Sequence, residues 1–261
     1  MQRRTVLTSL AILLIGLAAL AGRPAVAEVR VYMWRGQGTG SVMPNARFQT
    51  FMKRALRGNP VTFADIPPKN AIPDAMTNSA IFFGNAHGGY LKETRLHVWQ
   101  TGRKSGGTEW RISADDLKAL RNRVGDRRMP RLIFMAGCDM FAPLPAGANT
   151  IRIPEALGYT AGVRGRAFLG FDSSITGVRL ERFFRIYMAL WTGKRRDGSY
   201  RTLREAAGDT KAHILRTIER IGNNQKMRRR LYINRQDAPY ADQLIIAGDE
   251  TLRYPDLLRR R

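Results

Sequence analysis

The fold class this chain predicts is a three-layer α/β/α sandwich around a mostly parallel sheet, and three observations carry that expectation. Short apolar runs without a polar face recur at Ala80-Ile81-Phe82-Phe83, at Leu132-Ile133-Phe134-Met135 and at Ala167-Phe168-Leu169-Gly170-Phe171; strands of this kind are buried on both faces, which needs helices above and below the sheet. Segments with helical spacing lie between the runs, the alternation that builds α/β layers. No repeat and no long linker divides the chain, so residues 28–261 are expected to form one domain.

The elements follow in order. Residues 29–34 alternate and are rich in β-formers, and Gly36, Gly38 and Gly40 end them in a loop. Phe48, Phe51, Met52 and Leu56 have helical spacing, which stops at Arg57-Gly58-Asn59-Pro60. Residues 61–63 predict a short strand and 72–76 a helical turn. The run at 80–83 breaks into a glycine-rich loop, Gly84-Asn85-Ala86-His87-Gly88-Gly89. Residues 90–100 and 108–112 alternate around the turn-like stretch 102–107 and predict one hairpin. Ser113, with Asp116 three positions on, marks a helix N-terminus continuing through Leu117 and Leu120. After the strand at 131–135 comes a loop rich in Pro and Gly (141–150), then a helix near 154–159. Phe183, Phe184, Tyr187, Met188 and Trp191 make a wide apolar stripe on a helix over 180–191, a core stripe rather than a ligand cage. Residues 203–218 supply another helix, and 244–252 read as a closing strand, turn and strand.

The first residues set the compartment. Arg3 and Arg4 precede an apolar run over 6–21, and Ala25-Val26-Ala27 offers small residues where a signal peptidase cuts, so residues 1–27 are expected to be a cleaved signal peptide. A retained membrane anchor is the alternative; the run is near the minimum length for a span and is interrupted by Ser9 and Gly16. Gln2-Arg3-Arg4-Thr5-Val6-Leu7 also resembles a twin-arginine signal, so export by the Sec or the twin-arginine route into the periplasm or medium is expected. No later stretch is apolar enough to span a membrane.

The formal charge of +23 falls to +20 when Arg3, Arg4 and Arg23 leave with the signal. Such an excess favours anionic partners, and an anionic envelope component is the partner class it suggests. The arginines are dispersed, with nothing more than short clusters such as those at 195–196, 228–230 and 259–261, so nucleic-acid binding is not expected as the main task. Three dispersed histidines form no ligand-spaced pair, which argues against a metal-dependent hydrolase. His97, in an alternating strand, and His213, in an arginine-rich helix, are expected to be structural or exposed.

Two core strands end in reactive residues. The run at 81–83 leads to His87, and the run at 132–135 leads to Cys138, the only cysteine. Ligands bind at the carboxyl edges of strands in an open parallel sheet. An imidazole beside a thiol favours the nucleophilic thiolate, and Gly88, Gly89 and Gly137 let main-chain amides approach a substrate. On the residues alone two readings stay open: a nucleophilic Cys-His pair, or a loop histidine with an inert buried cysteine.

An apolar strand running into His-Gly, followed about fifty residues on by an apolar strand running into Gly-Cys, resembles the caspase-like superfamily of cysteine peptidases, which includes caspases, legumain, clostripain, gingipain and separase. The matching pieces are Ile81-Phe82-Phe83-Gly84-Asn85-Ala86-His87-Gly88-Gly89 and Leu132-Ile133-Phe134-Met135-Ala136-Gly137-Cys138-Asp139. Ala247-Gly248-Asp249-Glu250-Thr251-Leu252 is similar to a Gly-Asp-Pro turn near the end of bacterial members. The resemblance implies a caspase-like fold, His87 as the catalytic imidazole, Cys138 as the nucleophile, and the main-chain amides of Gly88 and Cys138 as the oxyanion hole. It implies hydrolysis of a protein or peptide substrate through a thioester, a step that needs no metal or cofactor. Asp139, where many members carry a less charged residue, and Asp172 are candidates for a pocket that takes a basic side chain. Trp34, Tyr90 and Trp110 are candidates for lining a groove. Non-peptidase relatives of this fold give the competing expectation: a catalytically inactive protein that binds an envelope partner or polyanion through its basic surface.

Overall fold

The computed structural model describes residues 31–35, 46–57, 59–92, 95–103, 109–173, 177–222, 224, 227 and 239–257; residues 1–27, expected as a signal peptide, the arginine clusters at 228–230 and 259–261, and the side chains of Trp34 and Trp110 fall outside the described residues. Six strands form one sheet. These are β1 (Val31–Arg35), β2 (Val61–Asp65), β3 (Ile81–Asn85), β7 (Leu132–Ala136), β8 (Ala167–Phe171) and β9 (Leu244–Gly248), in the order β2-β1-β3-β7-β8-β9. All neighbours pair in parallel except β8 and β9, which run antiparallel. Every residue of β3, β7 and β8 is buried, as their unbroken apolar runs predict.

Helices cover both faces. On one side lie α1 (Ala46–Ala55), α5 (Gly177–Thr192), α6 (Leu203–Ile221), and the short α7 (Tyr240–Gln243) and α8 (Tyr254–Leu257). Phe48 and Met52 of α1 and Phe183, Phe184, Tyr187, Met188 and Trp191 of α5 share a core there with Phe83, Phe134 and Phe171. The Phe134 ring meets Phe184 at 4.6 Å between centroids, edge-on, and Phe83, Phe171 and Tyr187 at 6.1–6.2 Å. The aromatic stripe on α5 is thus core. On the other side, α2 (Ala71–Thr77), α3 (Ala114–Val124) and α4 (Ile153–Ala156) bury Ile72, Met76, Leu117, Leu120 and Ile153 against Phe82, Ile133 and Phe168. The three layers are the expected sandwich. Ser113 and Asp116 close a reciprocal capping box at the start of α3, as their spacing predicts.

Three details differ from the sequence reading. β4 (His87–Leu91) begins one residue after β3 ends, so the glycine-rich stretch expected as a loop is mostly strand, with Ala86 between. The single strand expected over 90–100 is two, β4 and β5 (Leu96–Arg103), which pair antiparallel with Leu91 opposite Leu96. With β6 (Glu109–Ser113) they make a separate three-stranded sheet rather than a hairpin. The final strand pair reduces to β9, a turn and a bridge between Thr202 and Arg253. In that turn Asp249 accepts from the Gly165 amide at 2.8 Å, tying it to the start of β8. No described helix is long and apolar enough to cross a membrane.

Candidate active site

β3 and β7 lie side by side, paired from Ile81↔Leu132 to Asn85↔Ala136. His87 and Cys138 each stand two residues past that last rung, so both leave the sheet at its carboxyl edge. β8 flanks β7 on the other side with Phe134 opposite Leu169, and Asp172 follows β8 directly, on the same edge. Four of the residues singled out from the sequence, His87, Cys138, Asp139 and Asp172, therefore gather along one rim.

The two motif segments touch. A Cβ added at Gly88 would lie 3.4 Å from the Cys138 carbonyl oxygen, and one at Gly89 would lie 3.5 Å from the Asp139 Cβ. At Gly137 it would stand 3.0 Å from the Ala86 carbonyl oxygen, so the chains approach here as closely as they do because glycine carries no side chain. Gly89 has a φ of 131°, where L side chains are strained. His87 is exposed, Gly88, Cys138 and Asp139 are half-buried, and Asp172 is exposed. The thiol and the imidazole thus sit at the surface end of core strands, and neither residue is sealed among packed side chains. Tyr90 is half-buried on β4.

The chain just after Cys138 is held from several sides. Asp139 takes a φ of 55°, which an aspartate tolerates better than most residues. Its amide donates to the Ser173 carbonyl at 3.4 Å, and the Phe141 amide donates to the Phe171 carbonyl at 3.1 Å, so the segment lies across the end of β8. From β5, His97 comes within 3.2 Å of the Asp139 carbonyl through Nε2, and its Nδ1 accepts the Ile153 amide at 3.1 Å. Because Nδ1 is an acceptor, the proton belongs on Nε2, which donates to Asp139. Two residues along the same strand, the Trp99 indole N–H donates to the Met140 sulfur at 3.1 Å. His97 is 1% exposed, and burial pushes its imidazole below the ordinary value, with Arg152 acting in the same sense against the Asp139 carbonyl, Glu155 and the Asp139 carboxylate. The structural half of the expectation for His97 holds; His213, on α6, is exposed.

Sequence reasoning passed over two further residues at this rim. Asn85, the last residue of β3, is 4% exposed, and its Nδ2 has no hydrogen-bond partner among the described residues; the buried Ser173 Oγ is in the same state. The sequence places Asn85 in a glycine-rich loop; a polar residue closing an apolar strand is the signal it offers for a buried rim position. His97 and Trp99 share one face of an alternating strand directly after the histidine motif, a weaker signal. Among the described residues, no group of three or more His, Cys, Asp or Glu side chains is arranged to hold a metal. A cavity of about 480 Å³ opens between α2 and α3, lined by residues including Pro68, Lys69, Asp116 and Arg123, and none of the candidate catalytic or pocket residues lines it.

The fold has a counterpart among solved structures. The chain superposes on the crystal structure of the Arg-specific cysteine proteinase gingipain R (RGPB) with a TM-score of 0.53 and 13% identity, covering 86% of this chain and 47% of that one. The two share a fold. This chain spans about half the length of that proteinase chain, and at this identity the likeness carries the architecture alone. No family model matches the sequence, and no curated protein does. The sandwich expected from the sequence is therefore the one found, with a remote structural likeness to a cysteine proteinase.

Proposed function

We propose that the chain is an exported cysteine endopeptidase that works through Cys138 and His87. The observation that carries this reading is the register of β3 and β7: the rung Asn85↔Ala136 sets both reactive residues two positions beyond the same point of the carboxyl edge. In the first half-reaction His87 takes the thiol proton, and the sulfur bonds to the carbonyl carbon of the scissile peptide. The amides of Gly88 and Cys138 stabilise the oxyanion. The intermediate collapses with loss of the C–N bond, and His87 passes its proton to the leaving amine, leaving a thioester. Water then attacks the thioester, with His87 accepting its proton, and returns the thiol with a carboxylate product.

The carboxylates of Asp139 and Asp172 on the same rim suit a basic P1 side chain, and charge-assisted hydrogen bonds would fix it. Specificity for arginine is stated for gingipain R, and a basic P1 is the substrate class proposed here. The leader over residues 1–27 directs the protein to the periplasm or the medium.

Digestion of a peptide library by the mature protein tests the reading. Cleavage after Arg or Lys is expected, and Cys138→Ser and His87→Ala are expected each to lower kcat/KM by at least about a hundredfold. Asp139→Asn and Asp172→Asn should reduce the preference for basic P1 by about tenfold each, a loss of about 1.4 kcal/mol. An intact library, or cleavage indifferent to Cys138, would reject the peptidase.

A second reading, an inactive member of the fold that binds an anionic envelope component, is supported by the basic face of α6. There partial desolvation on the helix surface lowers the exposed His213 imidazole, and the neighbouring Arg216 and Arg220 act in the same sense. Salt-sensitive binding to anionic vesicles that survives Cys138→Ser would be its signature.

A further inference from the structure

We propose that His97 is a positioning residue for the nucleophile: its ring fastens the Asp139 carbonyl to the small antiparallel sheet and, together with the Asp139 amide held at Ser173, fixes the backbone that leaves Cys138 and with it the direction in which the thiol faces His87. The inference rests on the peptidase reading for its chemical consequence, but the clamp itself stands on geometry.

Asp139 follows the nucleophile directly, and with its amide and its carbonyl both hydrogen-bonded its φ and ψ are fixed, and through its amide so is the peptide plane it shares with Cys138. Asp139 has a φ of 55°, a left-handed value that aspartate adopts more readily than most side chains, and both of its backbone polar groups are bonded outside the local chain. Its amide is tethered on the β8 side, to Ser173. Its carbonyl receives the His97 Nε2–H at 3.2 Å, across 42 residues of sequence. The opposite nitrogen of the same ring receives the Ile153 amide at 3.1 Å, so the imidazole bridges both ends of the segment 139–153 and can neither flip nor rotate without breaking one bond. Burial to 1% exposure removes competing water. The bridge serves the proposed reaction because His97 belongs to β5, which pairs with β4: His87 lies opposite Gln100, and Tyr90 lies opposite His97. The strand pair that carries the imidazole His87 thus also carries the clamp on the residue next to Cys138. The two halves of the dyad, delivered by different strands of the main sheet, are referenced to one another through the small sheet.

Two conservative replacements separate the bonds. In His97→Gln the amide N–H stands where Nε2–H stood and the link to Asp139 persists; in His97→Asn the side-chain oxygen stands where Nδ1 stood, so only the link to Ile153 persists. The first readout is hydrogen exchange at the amides of residues 139–142 in the full mature protein. Exchange should rise by about tenfold or more in His97→Ala and His97→Asn, and by less than about threefold in His97→Gln. The second is the fold-drop in Cys138 alkylation by iodoacetamide that His87→Ala causes in each background. That drop should be large in the parent and in His97→Gln, and should collapse below about threefold in His97→Ala and His97→Asn, as residues acting as a unit require.

Equal exchange and equal His87 dependence in all backgrounds would overturn the proposal, as would a pattern in which Asn rescues and Gln does not. If alkylation in the parent already ignores His87, the peptidase reading fails, and exchange alone then decides the clamp. Should the variants not fold, nitrogen NMR of the unmodified protein decides: the proposal requires a neutral ring with its proton on Nε2 and a hydrogen-bonded Nδ1, and the other tautomer overturns it.

Discussion

At Asp126 a half-exposed carboxylate holds two arginines of different burial. It accepts from Arg121 Nε at 2.6 Å and from Arg166 at 2.8 Å, and the Arg166 side chain is only 7% exposed. The Arg121 hydrogen bond first, and Arg166 after it, hold the Asp126 carboxyl down to about 2, below its ordinary 3.8. A depressed folded-state pKa contributes stability above the unfolded value that disappears as pH falls through the folded one. Asp126→Asn should therefore destabilise the protein at pH 7, chiefly by leaving Arg166 buried with less compensation. The carboxylate is part-exposed, so about 1–2 kcal/mol is expected rather than the full cost of a broken buried pair. Urea melts of the two proteins should converge as pH is lowered from about 4 to about 2, the window that shift defines. His97 carries the same sign of linkage, in a higher pH window. Its lowered imidazole means the unfolded chain takes up a proton first, so stability should fall as pH drops below the ordinary value of 6.5. The slope should be smaller in His97→Gln, where only His213 keeps a lowered imidazole, with Arg152, Glu155 and Asp139 as the charges around position 97 in both proteins.

Among elements, the core strands were legible and the small sheet was not. Strands such as β7 announce themselves because both faces are buried and nothing polar interrupts them. Phe134, ringed by four aromatic side chains, should cost about 3–5 kcal/mol on replacement by alanine, read from chemical denaturation. By contrast, β4 and β5 merge in the sequence because no glycine or proline marks the reversal, and the polar run Lys92-Glu93-Thr94-Arg95 is the only signal of it. Leu91 and Leu96 are paired, and Arg95 takes a φ of 54°, the conformation a glycine usually signals. The missed turn also hid His97, since a strand running on to Gln100 would not have folded back over the Cys138 loop. Gly89 was noticed for its closeness to a substrate; its φ of 131° adds a conformational demand. Gly89→Ala should destabilise by about 1–3 kcal/mol and slow Cys138 alkylation, because β4 packs on Asp139; parent-like melts with parent-like alkylation would contradict this.

For the whole molecule, the sequence supplied the layers and the edge but not the strand order. Nothing in residues 61–65 or 244–248 says that one strand lies at the parallel margin and the other closes the far margin antiparallel; long-range pairing is set by packing that no local pattern encodes. The placement of His87 and Cys138 on one edge did follow, because each motif ends a buried strand and a parallel sheet gathers such ends together. Their common rung, and the buried Asn85 and Ser173 beside them, came only from the folded chain. The measurement that bears most directly on the account is intact-mass and peptide mapping of the protein lacking residues 1–27 after brief treatment with an irreversible thiol probe at neutral pH, in the parent and in His87→Ala. The account predicts one adduct per chain, on Cys138, formed at least about tenfold faster when His87 is present. A native protein that stays unlabelled, or labels equally fast without the imidazole, would contradict it.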